Sequence, residues 1–161
     1  MKYLIIFATI CIIIYSAILS ADPLENAVIY KTSAQQLIEL TEKYDWIDSE
    51  LYEIIRFNCQ KYGVDIQVVC AIIQTESGGN ERAFNYNSNG TKDRGLMQIN
   101  SIHGHGTEIY KPEINIEFGC KYLKKCVDKS DTMYQAVSMY NTGFNANWIN
   151  YEYVNKINRW L

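Results

Sequence analysis

The stretch Val68 to Ser101, VVCAIIQTESGGNERAFNYNSNGTKDRGLMQINS, joins an apolar helical run to a polar, Asn-rich loop and then to a second short run, Gly95-Leu96-Met97-Gln98-Ile99-Asn100. With Ile66 to Thr75 helical, Val69, Ile72, Ile73 and Glu76 fall at i, i+3, i+4 and i+7. Glu76 therefore continues the apolar stripe and faces a core or the wall of a cleft. Gly78 and Gly79 stop the helix just beyond it, because glycine takes the left-handed conformation that caps helix C-termini. Apolar surroundings and the negative end of the helix dipole both disfavour an ionised carboxylate. The spacing predicts a raised pKa, which suits a general acid that must hold its proton near neutrality. The competing reading is a glutamate that bends out to water at a frayed helix end.

Outward from this helix, Asn85 to Asp93 contains Asn89-Gly90, a turn signal between polar flanks. A small hairpin is expected there, holding Asp93 and the Gly95 to Asn100 segment across from Glu76. Gly95 lets the backbone approach a ligand closely or adopt a conformation other residues resist. Met97 offers a soft apolar contact, and Gln98 and Asn100 carry amides that both donate and accept; the alternative for those amides is bonding within the loop. Upstream, Asp48 or Ser49 caps a helix with Leu51, Ile54, Ile55, Asn58, Cys59 and Tyr62 on one face, Gly63 ends it, and Asp65 caps the helix that delivers Glu76. Downstream, Pro112 precedes a helix from Ile114 to Val127 with the stripe Ile116, Cys120, Leu123 and Val127, and Met133 to Tyr140 is the next apolar helix. Trp148, Tyr151, Tyr153, Ile157 and Trp160 close the chain with aromatic surface for core or groove. His103 and His105, spaced by one glycine, lack a second pair at ligand spacing, so they read as an exposed loop and not as a metal site.

The order Glu76-Ser77, Gly95-Leu96-Met97-Gln98-Ile99-Asn100, Tyr140-Asn141-Thr142-Gly143 resembles the three motifs of the soluble lytic transglycosylases, most of all the small exported members that accompany secretion and conjugation machines. The segment Asn115-Ile116 to Leu123 resembles a helix of that family, and the likeness covers roughly Asp48 to the C-terminus. Thr142 stands where the family usually has alanine, which keeps a small side chain. The resemblance implies an α+β, predominantly α-helical, lysozyme-like fold with a small hairpin lobe beside a catalytic cleft. It implies action on peptidoglycan glycan strands. Glu76 would be the catalytic acid and base, and Ser77, Asp93, Met97, Gln98, Asn100, Tyr140 and Asn141 would bind substrate, with Tyr140 bonding the catalytic carboxyl or sugar. The product would be a 1,6-anhydro sugar, made with no metal or cofactor.

Animal-type lysozymes are also similar, through a glutamate followed by an aspartate just before a Gly-x-x-Gln-Ile-Asn segment. On that reading Glu76 and Asp93 would be a retaining pair, which needs a separation of about 5–5.5 Å. A third reading is a noncatalytic wall-binding or assembly protein.

The chain has 161 residues and a net charge of −3, which suits one domain and excludes the basic footprint of nucleic-acid binding. Met1-Lys2 followed by the apolar run Tyr3 to Leu19 predicts an export signal over residues 1–21, cleaved after Ala21, or an uncleaved anchor that is the chain's sole membrane contact. Residues 22–47 are expected to be a linker with one amphipathic helix capped by Thr32-Ser33, and residues 48–161 the catalytic domain. Export places the protein in the periplasm or cell envelope, where a secretion, conjugation or pilus machine is the expected partner. Export also permits disulfides among Cys59, Cys70, Cys120 and Cys126. Cys120 and Cys126, about 9 Å apart along one helix at ~1.5 Å per residue, are too distant to pair. Cys59 with Cys70, or either with a cysteine of the later helix, stays open, and at least one bridge is expected.

Overall fold

The computed structural model describes residues 23–161, with side chains described from residue 33. The expected export signal at residues 1–21 lies outside the described residues. The described chain divides into two units, one ending at Lys43 and one spanning residues 44–161. Of the first, helix α1 spans Pro23–Lys43. It runs through Thr32 and Ser33, which were expected to cap it. No glycine or internal proline interrupts the segment, and Pro23 sits at the start, where its missing N–H costs nothing. Among the described residues no helix is long and apolar enough to cross a membrane.

The second unit begins at Tyr44, within the expected linker. Tyr44 and Ile47 are buried, the Tyr44 hydroxyl donates to the Trp160 carbonyl at 2.8 Å, and the Trp46 indole donates to Gln74 Oε1 at 2.7 Å. Helix α2 (Ser49–Tyr62) is capped by Asp48, whose carboxylate accepts from the Leu51 N–H, and ends at Gly63 in the left-handed conformation. Helix α3 (Ile66–Ser77) is capped by Asp65, which accepts from Gln67 and Val68, and ends at Gly78, also left-handed. Each such cap is worth about 1 kcal/mol. The two caps fix where the short connection turns, and so where Glu76 is delivered.

In α3 every residue from Val68 to Ile73 is buried, a wider face than the predicted stripe. A helix that is apolar all round belongs in the middle of a core, and α3 is packed by α2 and by the C-terminal helix α6 (Tyr151–Asn158). Helix α4 (Pro112–Asp128) lies on α2 with Ile116, Cys120 and Leu123 inside. Helix α5 (Met133–Thr142) starts with a reciprocal capping box between Thr132 and Gln135 and packs on α4 and α6.

A three-stranded antiparallel sheet forms the smaller lobe: β1 (Phe84–Tyr86), β2 (Lys92–Arg94) and β3 (Ile99–Asn100), in that order. Asn85 pairs with Asp93, and Asp93 with Asn100. The β2–β3 connection is pinned to α4 by Asn115, which is completely buried. Its Oδ1 accepts from the Met97 N–H at 2.7 Å, and its Nδ2 donates to the carbonyls of Arg94 and Ile109 at 2.9 and 2.8 Å. Gly95 is required here: its φ is +76°, and a Cβ would lie 2.2 Å from Asn115 Nδ2. This is the expected α+β, mainly helical architecture with a small hairpin lobe. Cys59, Cys70, Cys120 and Cys126 are all buried, and the expected bridge among them is not formed in this structure.

Candidate active site

Four segments converge on one cavity of about 450 Å³. The C-terminus of α3 contributes Glu76, the sheet lobe Asp93, Gln98 and Asn100, α4 Phe118 and Tyr122, and α5 Tyr140 and Asn141. The sequence-predicted residues Glu76, Asp93, Gln98, Asn100, Tyr140 and Asn141 are thus brought together from positions up to 65 residues apart.

Glu76 sits at the edge of the core, in the last turn of a helix that ends at Gly78. Burial pushes its carboxyl up from 4.5 to about 7, and the negative charge of Asp93 pushes the same way; a hydrogen bond from Tyr153 and the Lys156 ammonium oppose them. The Tyr153 hydroxyl donates to Glu76 Oε1 at 2.5 Å. That bond fixes the carboxyl's orientation and limits the rise, because it favours the charged form. The phenols of Tyr140 and Tyr153 are themselves held well above the usual tyrosine range, first by burial and then by the Glu76 charge.

Asp93 is tied down on both oxygens. Asn100 Nδ2 donates to Oδ1 at 2.6 Å, and Asn87 Nδ2 donates to Oδ2 at 2.8 Å. The same two amides also donate to Thr91 Oγ1 at 3.0 Å each, while Asn100 Oδ1 accepts from the Ile102 N–H. Asn100 therefore lines the cavity with its amide already committed to the lobe. Gln98 has φ +46°, the one described non-glycine residue in the left-handed region. Its Nε2 donates to the Gly95 carbonyl at 3.0 Å, so the loop-bonding alternative is realised for Gln98. A non-glycine residue in that region costs about 1–3 kcal/mol and persists only where its surroundings hold it.

Three placements differ from expectation. Met97 does not line the cavity: it is fully buried, with its sulfur against Gly119, where a Cβ would come within 2.2 Å of it. Ser77 also stays out of the cavity wall, its hydroxyl donating to the Ile73 carbonyl one turn back. Tyr140 lines the cavity, yet its hydroxyl donates to the Met97 carbonyl at 3.0 Å and not to the carboxyl. Met97 is thus an anchor, held by Asn115 through its N–H and by Tyr140 through its carbonyl. His103 is exposed, as expected, and His105 half-buried; their rings lie tilted and edge-on against Phe118 of α4, with centroids 5.0 and 4.7 Å from it. His103 and Phe118 both line the cavity.

Sequence reasoning placed Tyr153 in an aromatic tail and missed its bond to Glu76. Tyr153, Val154 and Ile157 form the buried stripe of α6, and a buried tyrosine hydroxyl needs a partner. The sequence carries that need without the partner's identity. Asn87 was missed in the same way, since an Asn in an Asn-rich loop gives no sign that it clamps Asp93.

A mainly helical α+β fold of the lysozyme-like type, with a proton-holding carboxyl at the end of its central helix, defines the class. Within it, the chain belongs to the Transglycosylase SLT domain family, whose model matches residues 53–161. Over 93 residues it is 33% identical to Protein IpgF of Shigella flexneri, covering 52% of this chain and 61% of that protein. It is 32% identical over 101 residues to the Transglycosylase of Enterobacteria phage PRD1, covering 60% of this chain and 37% of the relative. It is 33% identical over 87 residues to the Membrane-bound lytic murein transglycosylase E of Buchnera aphidicola subsp. Baizongia pistaciae, covering 45% of this chain and 39% of the relative. The matched region spans about three-fifths of IpgF and under two-fifths of the other two.

Proposed function

We propose that the protein is a peptidoglycan lytic transglycosylase that cleaves the β-1,4 bond between N-acetylmuramic acid and N-acetylglucosamine. Glu76, as the neutral acid, protonates the glycosidic oxygen, the bond to the muramic anomeric carbon breaks, and positive charge develops at that carbon. The resulting Glu76 carboxylate then takes the proton of the muramic 6-hydroxyl, whose oxygen closes on the anomeric carbon. The products are a 1,6-anhydromuramic end and a free 4-hydroxyl on the leaving N-acetylglucosamine. No water is consumed, and the carboxyl is restored to its acid form.

The observation that carries this reading is a Glu76 carboxyl raised to about 7 on the wall of a cavity, oriented by Tyr153. Near neutrality such a group populates both forms, and one carboxyl can give and then take a proton. Asp93 is read as a positioning and electrostatic group. Both its oxygens are engaged by Asn87 and Asn100, and its charge favours the acid form of Glu76. Gln98, Tyr140 and Asn141 are assigned to substrate contact; Asn100, expected among them, serves instead to hold Asp93, its amide being spent within the lobe, and Ser77 and Met97 support them from behind the wall.

A second reading, retaining hydrolysis with Asp93 as the other carboxylate, is favoured by one observation: Asp93 lines the same cavity and acts electrostatically on Glu76. Mass spectrometry of muropeptides released from purified peptidoglycan separates the two. Products lighter by one water, absent with Glu76→Gln, support the transglycosylase; ordinary reducing ends refute it and leave the hydrolase.

We further read residues 1–21 as an export signal, 22–47 as a linker and 48–161 as the catalytic domain. On this reading the protein remodels the wall locally in the periplasm or envelope, for a secretion, conjugation or pilus machine. Cell fractionation with N-terminal sequencing of the product tests the export step.

A further inference from the structure

The functional reading leaves a set of buried thiols unused. Cys59 on α2 and Cys120 on α4 are both buried, and Cys59 is the neighbour that acts most strongly on the Cys120 thiol. The same two helices are clasped one turn away, where Glu117 Oε1 accepts from the Tyr62 hydroxyl at 3.0 Å and from Lys61 Nζ at 2.5 Å. Three residues back from Tyr62 is Cys59, and three residues on from Glu117 is Cys120. In an antiparallel helix pair those two steps lead to facing positions, since residues three apart share a helix face. The clasp and the packing of α2 on α4 therefore set a register in which Cys59 and Cys120 face each other. Cys70, on α3, comes near enough to act on Cys120 electrostatically, while Cys126 lies further along α4.

We propose that Cys59 and Cys120 form a structural disulfide joining α2 to α4 when the chain folds in the presence of a disulfide oxidant, and that Cys70 and Cys126 remain thiols. The structure then represents the reduced form.

The oxidant is a small-molecule or protein disulfide, for instance glutathione disulfide. One cysteine thiolate attacks it, forming a mixed disulfide and expelling one thiolate. The second cysteine attacks the mixed disulfide at its own partner's sulfur and expels the other thiolate. The two cysteines lose two protons and two electrons, and the oxidant's disulfide becomes two thiols. The neighbouring Cys59 and burial push the Cys120 thiol far above the usual cysteine range, so the folded thiol is a poor nucleophile. The bridge is consequently made while α2 and α4 are docking, and burial afterwards shields it from reductants. It closes a loop of about 60 residues that holds Glu76 and the whole sheet lobe. A cross-link of that span stabilises chiefly by restricting the unfolded chain.

The test is refolding of the full chain from the reduced, denatured state in a glutathione buffer containing glutathione disulfide. Thiols are then counted in denaturant without reductant, and peptides are mapped. Trypsin cuts after Lys61, Arg82, Lys121 and Lys125, which puts Cys59, Cys70, Cys120 and Cys126 on four different peptides. The expected result is three thiols out of the five cysteines, with the peptide Phe57–Lys61 linked to the one ending at Lys121. The oxidised protein should melt about 10 °C or more above the reduced one, a difference absent from Cys59→Ser. Five remaining thiols, or a main link through Cys70 or Cys126, overturns the proposal. None of these readouts depends on wall cleavage, so the proposal and the enzymatic reading fail separately.

Discussion

Replacing Glu76 with glutamine should stabilise the protein in mildly alkaline buffer. The carboxyl lies at about 7 in the folded protein against 4.5 in its ordinary setting. Between those values the folded state holds a proton that the unfolded chain has released. The folded chain therefore binds more protons, and stability falls as pH rises through that window. The loss starts near 4.5 and is complete above about 7. At 1.36 kcal/mol per tenfold, the carboxyl costs roughly 0.8 kcal/mol at pH 5 and roughly 3.3 kcal/mol at pH 8. Glutamine has no charge to desolvate, and its Oε1 can still accept from Tyr153. The stability gap between Glu76→Gln and the wild type should thus widen by about 2.5 kcal/mol from pH 5 to pH 8 in favour of the variant. Urea unfolding at both values measures it, and every other titrating group cancels in the comparison. A gap that stays constant with pH would refute the reasoning, for then the core does not raise the carboxyl.

Tyr153→Phe removes the donor that favours the charged carboxylate; the alkaline limb of the activity profile should move up by about one pH unit, which a kcat/KM profile reads directly. Asp93→Asn removes a negative charge that favours the acid form of Glu76. Its alkaline limb should move to lower pH while anhydro products continue to form, whereas a collapse of cleavage at every pH would make Asp93 a second catalytic carboxylate. Asn115→Ala leaves the Met97 N–H and the carbonyls of Arg94 and Ile109 without their buried partner. It should destabilise by about 2–4 kcal/mol in urea unfolding, and a loss under 1 kcal/mol would show that the β2–β3 connection does not depend on that clasp.

Much of the helical frame was legible in the chain because its signals are local. Asp48, Gly63, Asp65 and Gly78 mark the ends of α2 and α3 by short-range hydrogen bonds and backbone freedom, and these act wherever the rest of the protein lies. Asn89-Gly90 marked the hairpin for the same reason. Where local preference was weak, reading failed. Thr32 and Ser33 favour caps but do not compel them, and α1 runs through both.

The sequence by itself determined that Glu76 ends an apolar helix, and that a polar hairpin follows it with Asp93 and a glycine placed for close approach or an unusual backbone. Those are matters of spacing within a few residues. Only the tertiary structure decided which hydroxyl reaches the carboxyl. Tyr140 and Tyr153 are both helical tyrosines, and what separates them is that α6 packs against α3 while Tyr140 is turned to the Met97 carbonyl. It likewise decided that Asp93 is gripped by Asn87 and Asn100, and that Met97 is a buried anchor and not a cavity wall. Such pairings depend on contacts between residues distant in the chain, and a single sequence carries each partner's need for a bond without naming who meets it.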